Sequence, residues 1–254
     1  MEINFIGPLG KVTGSCTWMR DHKRGWNFLV DCGMQQGEIT ADVWNHQEWP
    51  FDPSEIQFIV LTHAHMDHSG LIPSLYESGF NGKVYCTEET ARIAEIQYSN
   101  AMPLNPELFT KANINKVKWS HFKKAPVLGN YHPVDQDLFV QFQRSGHILG
   151  AVSVSIYWGK PMSPEQRSIV FSGDIGPQPQ DNEVLPIIRH TMNPGHHNYA
   201  VMESTYGSTN RSPSDKEPVI RRDHLKSLID RTINTQGTLL MPAFALGRSQ
   251  DVLF

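Results

Sequence analysis

The stretch Leu61-Thr62-His63-Ala64-His65-Met66-Asp67-His68-Ser69-Gly70 decides how this chain is interpreted. Within it, four side chains that can bind a metal ion occur close together, at His63, His65, Asp67 and His68. His63 and His65 are two residues apart, so both imidazoles point to the same side of an extended chain. Asp67 and His68 fall where the chain turns, and can face a second cation. Histidine and aspartate without thiolate are typical of open, catalytic metal sites. The alternative is a surface cluster of histidines, and the density of ligands argues against it.

The composition is that of an ordinary soluble globular protein. The 254 residues are 39% hydrophobic and 19% charged, with no apolar run long enough to span a membrane and no secretory signal at the N-terminus. Cys16, Cys32 and Cys86 are widely spaced and never form a CxxC pair, which argues against disulfides and thiolate zinc sites. We interpret them as small buried hydrophobes in a reducing cytoplasm.

The net charge argues only mildly against a nucleic-acid partner. Nucleic-acid-binding proteins usually carry a basic excess, whereas this chain has a formal net charge of −4. Two divalent cations in the site would add about +4 where a phosphate would lie. The net charge alone therefore neither supports nor excludes a nucleic-acid partner.

Short apolar segments alternate with turns and helical patterns, as in an α/β protein. The near-continuous apolar run 56–62 is typical of a strand covered on both faces, and helices are predicted over 71–76, 88–98 and 220–229. Residues 176–198 have the composition of a loop. Further strands are predicted at 3–6, 12–19, 26–31, 84–86, 138–143, 151–158, 168–172, 199–202 and 238–242.

Four further polar residues fall at the ends of predicted strands or in the turn between two of them. Asp31 closes one strand, His147 lies in a glycine-flanked turn, and Asp174 and Glu203 each follow another strand. Sites in open α/β sheets assemble at such edges. A lone His147 or Asp174 would more often be structural, but beside the HxHxDH segment we assign these residues to the site.

These residues match, in order and spacing, the motifs of a known superfamily. Asp31, the segment from His63 to His68, His147 and Asp174 resemble the successive motifs of the metallo-β-lactamase superfamily. Glu203-Ser204-Thr205-Tyr206-Gly207 and the segment Pro242-Ala243-Phe244-Ala245-Leu246-Gly247-Arg248-Ser249-Gln250 resemble its β-CASP branch. That branch includes RNA-processing nucleases such as ribonuclease J and the nuclease subunit of the cleavage and polyadenylation specificity factor.

The resemblance implies an α/β fold, the αββα sandwich of the metallo-β-lactamases, over residues 1–207. Residues 208–254 would be the truncated start of an inserted β-CASP α/β domain. The chain stops at Phe254, and no glycine, cap or proline signal ends its last predicted helix. In this family a further histidine ligand returns after the inserted domain, so we expect these 254 residues alone to be weak or inactive.

The resemblance also implies a ligand set for two Zn²⁺ ions. Asp67 would orient the attacking hydroxide as well as bind metal, Asp31 would orient a ligand imidazole, and Glu203 would support the site. The first ion would be held by His63, His65 and His147, the second by Asp67 and His68, with Asp174 bridging the two.

The expected function is that of a zinc-dependent ribonuclease. It would hydrolyse phosphodiester bonds of single-stranded RNA, endonucleolytically or from the 5′ end, through a hydroxide shared by two metals. The alternatives are a thioester or lactone hydrolase of the same fold, a DNA-cleaving member of the branch, and a non-catalytic subunit. For Arg248, contact with a phosphate and a local cap stay equally open. The sequence also leaves a homo-oligomer open.

Overall fold

A computed structural model gives the structure of the protein over most of the chain. The described residues are 1–7, 10–37, 41–121, 130–161, 163–176, 195–210, 212 and 218–253. Most of the predicted loop 176–198 therefore lies outside the described residues. Among the helices that the structure describes, none is long and apolar enough to cross a membrane.

Two β-sheets form the centre of the described structure. The first sheet has strand order β1-β2-β3-β4-β5-β6, antiparallel from β1 to β3 and parallel from β3 to β6. Its strands are β1 (Glu2–Phe5), β2 (Thr17–Asp21), β3 (Trp26–Val30), β4 (Phe58–Val60), β5 (Lys83–Cys86) and β6 (Trp119–His121).

The second sheet has the order β11-β10-β9-β8-β7 and is antiparallel except for the pair β10 and β11. Its central pair confirms the predicted pairing of the segments 138–143 and 151–158. Its strands are β7 (His132–Asp135), β8 (Leu138–Arg144), β9 (Val152–Trp158), β10 (Arg167–Phe171) and β11 (Tyr199–Val201).

Seven α-helices are described. The longest helix of the first part of the chain is capped by Thr87, whose hydroxyl accepts a hydrogen bond from the Thr90 amide. The helices are α1 (Ala41–Asn45), α2 (Met66–Ser69), α3 (Ile72–Glu77), α4 (Glu88–Ala101), α5 (Lys111–Ile114), α6 (Pro218–Asn234) and α7 (Arg248–Leu253).

The core has two parts because each strand of the first sheet presents side chains to both faces. Phe28 and Phe58 stack between the sheets with ring centroids 4.7 Å apart, and pack with the inward side chains of β8 and β9. Leu29 and Ile59 point the other way, into a cluster with α3 and α4. The described residues thus supply the helix, sheet and sheet layers of the predicted αββα sandwich, and the three cysteines are free and buried.

Two predicted strands were wrong in whole or in part. Residues 238–242 form neither strand nor helix, and Leu240 is 84% exposed. An extended segment becomes a strand only when a neighbour accepts its hydrogen bonds, and the described residues show no pairing for this segment. The predicted strand 12–19 starts only at Thr17, because the Ser15 amide donates to the Asp67 carbonyl (2.8 Å) near the site.

Candidate metal centre

The segment that carries His63 and His65 extends strand β4 beyond the edge of the first sheet. The Leu61 amide donates to the Tyr85 carbonyl (2.9 Å), and the Thr62 carbonyl accepts from the Val152 amide of the second sheet (2.9 Å). The chain then turns at His65 into the one-turn helix α2, which carries Asp67 and His68. The site therefore forms where the two sheets meet.

Helix α4 and its cap form hydrogen bonds with both histidine-bearing segments. The side-chain amide of Gln97 donates to the Ala64 carbonyl (2.6 Å), and the Tyr98 hydroxyl donates to the Ser69 carbonyl (2.9 Å). At the other end of the helix, the hydroxyls of Thr87 and Thr90 both donate to the Gly150 carbonyl, in the turn that carries His147. One rigid helix thus sets the spacing between the two segments.

Asp174 follows strand β10. Glu203, which the sequence had assigned to the site, forms hydrogen bonds with residues on either side of Asp174. The Glu203 carboxylate accepts from the Ile175 amide (2.8 Å), and the Glu203 amide donates to the Ser172 hydroxyl (2.9 Å). Glycine is required at Gly176, because an added Cβ would overlap the Gly146 carbonyl in the His147 turn. The loops that carry Asp174 and His147 therefore touch directly.

The first group of candidate ligands converges on one point. One ligand atom from each of His63, His65, His147 and Asp174 lies within 4.8 Å of all the others. His65 Nδ1 is 3.1 Å from His63 Nε2 and 3.0 Å from His147 Nε2. Asp174 Oδ2 lies 3.3 Å from His147 Nε2.

The second group adjoins the first through Asp174. His68 Nε2 lies 3.3 Å from Asp174 Oδ1 and 3.9 Å from Asp67 Oδ2. The two oxygens of Asp174 therefore face different groups. His63 and His68 are buried, whereas the side chains of Asp67, His147 and Asp174 are partly exposed, so the site opens to solvent on the carboxylate side.

Asp31 organises the buried side of the site. Its carboxylate accepts from the Thr62 amide (2.8 Å), the Thr62 hydroxyl (2.9 Å) and His68 Nδ1 (2.8 Å). Thr62 Oγ1 in turn lies 3.0 Å from His63 Nδ1. Since this hydroxyl donates to Asp31, it can accept from His63 Nδ1–H, which leaves the Nε2 lone pair facing the cluster. Asp31 adopts a φ of 60°, a conformation that aspartate tolerates better than most residues.

Burial and charge keep the first group in the form that binds metal. Burial lowers the pKa of His63 well below its usual value, lowers the pKa of His147, and with the charge of His147 lowers the pKa of His65 to about 4. These three imidazoles are therefore neutral at pH 7, as metal ligation requires.

In the second group the pKa of the histidine is shifted in the opposite direction. Burial disfavours the charged form of His68, but the carboxylates of Asp31 and Asp174 outweigh it and raise the pKa of His68 well above its usual value. Burial also raises the pKa of Asp67. A cation that binds His68 would have to displace a proton from it. Because the pKa of His68 is raised, metal binding at this group should weaken as the pH falls.

The donor set fits a divalent metal. His65 Nδ1 lies 3.0 to 3.1 Å from a ring nitrogen of His147 and of His63, so three imidazole nitrogens are close enough together to serve as ligands of one cation when their lone pairs face it. Imidazole and carboxylate donors suit zinc, and the absence of thiolate in this group suits an open coordination sphere.

The structure brings together all eight residues singled out from the sequence. Asp67, His68, His63, His65, His147 and Asp174 supply the candidate ligand atoms, and Asp31 and Glu203 hold them from behind; their roles in metal binding stay a prediction. Sequence reasoning missed Thr62, although it directly precedes His63. It also missed Gln97 and Tyr98, whose partners are main-chain carbonyls that leave no signal in a sequence.

Substitution of Thr62 by valine tests how the buried side orients His63. Thr62→Val keeps the shape but removes the hydroxyl between Asp31 and His63, so we expect zinc affinity to fall by about 10–100-fold. Stability should fall by about 1–3 kcal/mol, because the His63 N–H loses its acceptor. Chelator competition measures the affinity, and Thr235→Val, in the exposed turn that follows α6, is the control. Equal affinity in both variants would contradict this role of Thr62.

Comparison with known proteins agrees with the site. The family model of the metallo-β-lactamase superfamily matches residues 9–200. Ribonuclease TTHA0252 of Thermus thermophilus is 31% identical over all of this chain and 54% of its own length. An RNase J-like protein of Methanocaldococcus jannaschii is 28% identical over 99% of this chain and 53% of its length.

A transcription termination factor, FttA, of Lokiarchaeum sp. is 27% identical over all of this chain and 38% of its own length. The chain thus spans about half or less of the length of these curated relatives. Two of these relatives are named as a ribonuclease and as an RNase J-like protein, which is the kind of protein that the β-CASP resemblance indicated. Because the family model covers most of the chain, the protein belongs to the metallo-β-lactamase superfamily.

Proposed function

We propose that the whole protein is a zinc-dependent ribonuclease that hydrolyses phosphodiester bonds of single-stranded RNA. The observation that carries the proposal is the thiolate-free group of His63, His65, His147 and Asp174, whose neutral imidazoles converge at a solvent-open edge. Similarity to a ribonuclease and to an RNase J-like protein supports RNA as the substrate.

Two Zn²⁺ ions suit the two groups of donors. His63, His65 and His147 would hold one ion, Asp67 and His68 the other, and the two oxygens of Asp174 would serve both. When bound, the ions would lower the pKa of a water molecule and neutralise charge on a phosphate oxygen. The chain has a formal net charge of −4, and the two cations would supply positive charge at the place where RNA would bind.

The protein's own residues would orient the attacking water and limit the access of other water to the site. Asp67 Oδ2 lies at the open side, 3.9 Å from His68 Nε2, where a carboxylate can accept a hydrogen bond from the attacking water and orient it. His63 and His68 are buried, so solvent does not reach the site from their side. Asp31 holds His68 by its Nδ1, leaving Nε2 toward the carboxylates.

The test uses the natural protein, with 5′-labelled single-stranded RNA and DNA of one sequence, a thioester and a lactone. We expect RNA to be cut, the cutting to stop after zinc is removed by a chelator, and to return when Zn²⁺ is added back. The product ladder separates internal cleavage from 5′ trimming. Zinc binding without cleavage of RNA would reject the proposal; hydrolysis of the thioester or lactone instead would favour a small-molecule hydrolase, and cleavage of DNA alone a DNA nuclease.

A further inference from the structure

The turn that carries three of the candidate ligands is too short to hold its own shape. Helix α2 is a single turn, and in the described structure His65, which caps its N-terminus, makes no side-chain capping hydrogen bond. Isolated helices of this length are not stable in water. The positions of His65, Asp67 and His68 therefore depend on contacts with other parts of the fold.

The carbonyls of this turn are held in two different ways. The four carbonyls from His65 to His68 accept hydrogen bonds from main-chain amides, which belong in order to Ser69, Met34, Ser15 and Cys32. The carbonyls at the two ends of the segment, those of Ala64 and Ser69, accept from side chains. A substitution can remove a side-chain donor, so the hold on the two ends can be tested without changing a candidate ligand.

Two consecutive residues of α4 provide side-chain donors for these ends. Gln97 Nε2 donates to the Ala64 carbonyl (2.6 Å), and the Tyr98 hydroxyl donates to the Ser69 carbonyl (2.9 Å). The Ser69 hydroxyl also donates to the Ala64 carbonyl (2.9 Å), which links the two ends to each other. Because the Ala64 carbonyl shares a planar peptide group with the His65 nitrogen, its direction sets how the chain enters the turn.

Helix α4 gives these two donors a fixed base. The Tyr98 ring is fully buried and stacks with Phe109 and Trp119, with ring centroids 5.7 Å and 6.4 Å away. Gln97 is partly exposed and precedes Tyr98 on the same helix. The position of a core helix is thus passed on to both ends of the turn.

We propose that Gln97 and Tyr98 form a clamp that positions the segment 65–68 for metal binding before any ion is bound. Both are positioning residues, since they contact only main-chain carbonyls on either side of the ligands. With the segment already ordered, metal binding does not have to order it. The inference rests on the metal site of the proposed function but not on RNA as the substrate.

Two variants and two matched controls test the clamp in the natural protein. Gln97→Met keeps a long side chain that cannot donate, and Tyr98→Phe removes only the hydroxyl. Ser99→Ala is the first control, because the Ser99 hydroxyl donates to a carbonyl within α4 itself. Tyr76→Phe is the second, because the Tyr76 hydroxyl donates to the Gly82 carbonyl (2.7 Å), outside the candidate site.

The metal-free proteins are titrated with Co²⁺ and followed by visible absorption. The titration gives the affinity, and the bands at saturation report the arrangement of the ligands. We expect Gln97→Met and Tyr98→Phe to bind Co²⁺ about 10–100-fold more weakly and to show altered bands at saturation. Urea unfolding should show that Tyr76→Phe also loses stability, but its affinity and bands should match those of the unsubstituted protein, as should those of Ser99→Ala.

The inference is overturned if either clamp variant binds Co²⁺ with the unsubstituted affinity and bands, or if Tyr76→Phe changes them equally. If Tyr98→Phe does not fold, Gln97→Met decides, because its side chain is partly exposed. Weakened Co²⁺ binding by the clamp variants, together with no RNA cleavage by the unsubstituted protein, would keep the clamp and reject the ribonuclease proposal.

Discussion

Replacement of Asp174 by asparagine should lower the rate of RNA cleavage by about 1,000-fold or more. Asparagine keeps the shape of the side chain but removes the charge that faces both ligand groups, through Oδ2 to His147 and Oδ1 to His68. Several kcal/mol of charge stabilisation at a metal site correspond to a loss of this size. Bound zinc should also fall below that of the unsubstituted protein.

The measurement combines cleavage of labelled RNA by the natural protein with its zinc content. Asp230→Asn provides the control, since Asp230 is exposed on α6 and pairs only locally with Lys226. Such a surface pair contributes little, so neither readout should change. Cleavage by Asp174→Asn within tenfold of the unsubstituted rate would show that this carboxylate does not serve the reaction.

Replacement of Gly33 by alanine should be the most damaging change to the fold that spares every candidate ligand. A Cβ at Gly33 would overlap the Asp67 carbonyl and lie 2.7 Å from the His68 amide nitrogen. The neighbouring segments cannot separate freely, because the Cys32 amide donates to the His68 carbonyl and the Met34 amide to the Met66 carbonyl. We expect a loss of about 3 kcal/mol or more in the free energy of unfolding, together with loss of zinc.

Gly37→Ala is the matched control four residues away. Gly37 has a φ of +75° but nothing within 4 Å of an added Cβ, so its substitution should cost about 1–2 kcal/mol of backbone strain and leave zinc binding intact. Urea unfolding and zinc content compare the two variants. A Gly33→Ala protein as stable as Gly37→Ala would mean that the two segments can move apart after all.

Much of the fold could be predicted because its signals are local. The apolar run around Phe58–Val60 predicts a strand covered on both faces, and the structure confirms it, with Phe58 toward the second sheet and Ile59 toward the helices. The helical spacing from Glu88 likewise predicts α4, which extends to Ala101. The failure at 238–242 has the opposite cause, since strand formation depends on a neighbouring segment that residue type does not reveal.

The residues of the candidate site were also evident from the sequence. Metal-binding chemistry belongs to side-chain type, so His63, His65, Asp67 and His68 stand out in a short segment, and His147 and Asp174 stand out at strand ends. Resemblance to the superfamily, confirmed by the family model, placed these residues in one site. None of this required a distance between atoms.

Only the tertiary structure decides how those side chains are held. The path from Asp31 through Thr62 to His63, the bond from the Gln97 side chain to the Ala64 carbonyl, and the fit of Gly33 against Asp67 all join segments that are distant in sequence or involve main-chain atoms. Every residue has a main-chain carbonyl, so its presence in a sequence carries no information. Which carbonyl holds a ligand-bearing segment depends on where the folded backbone lies.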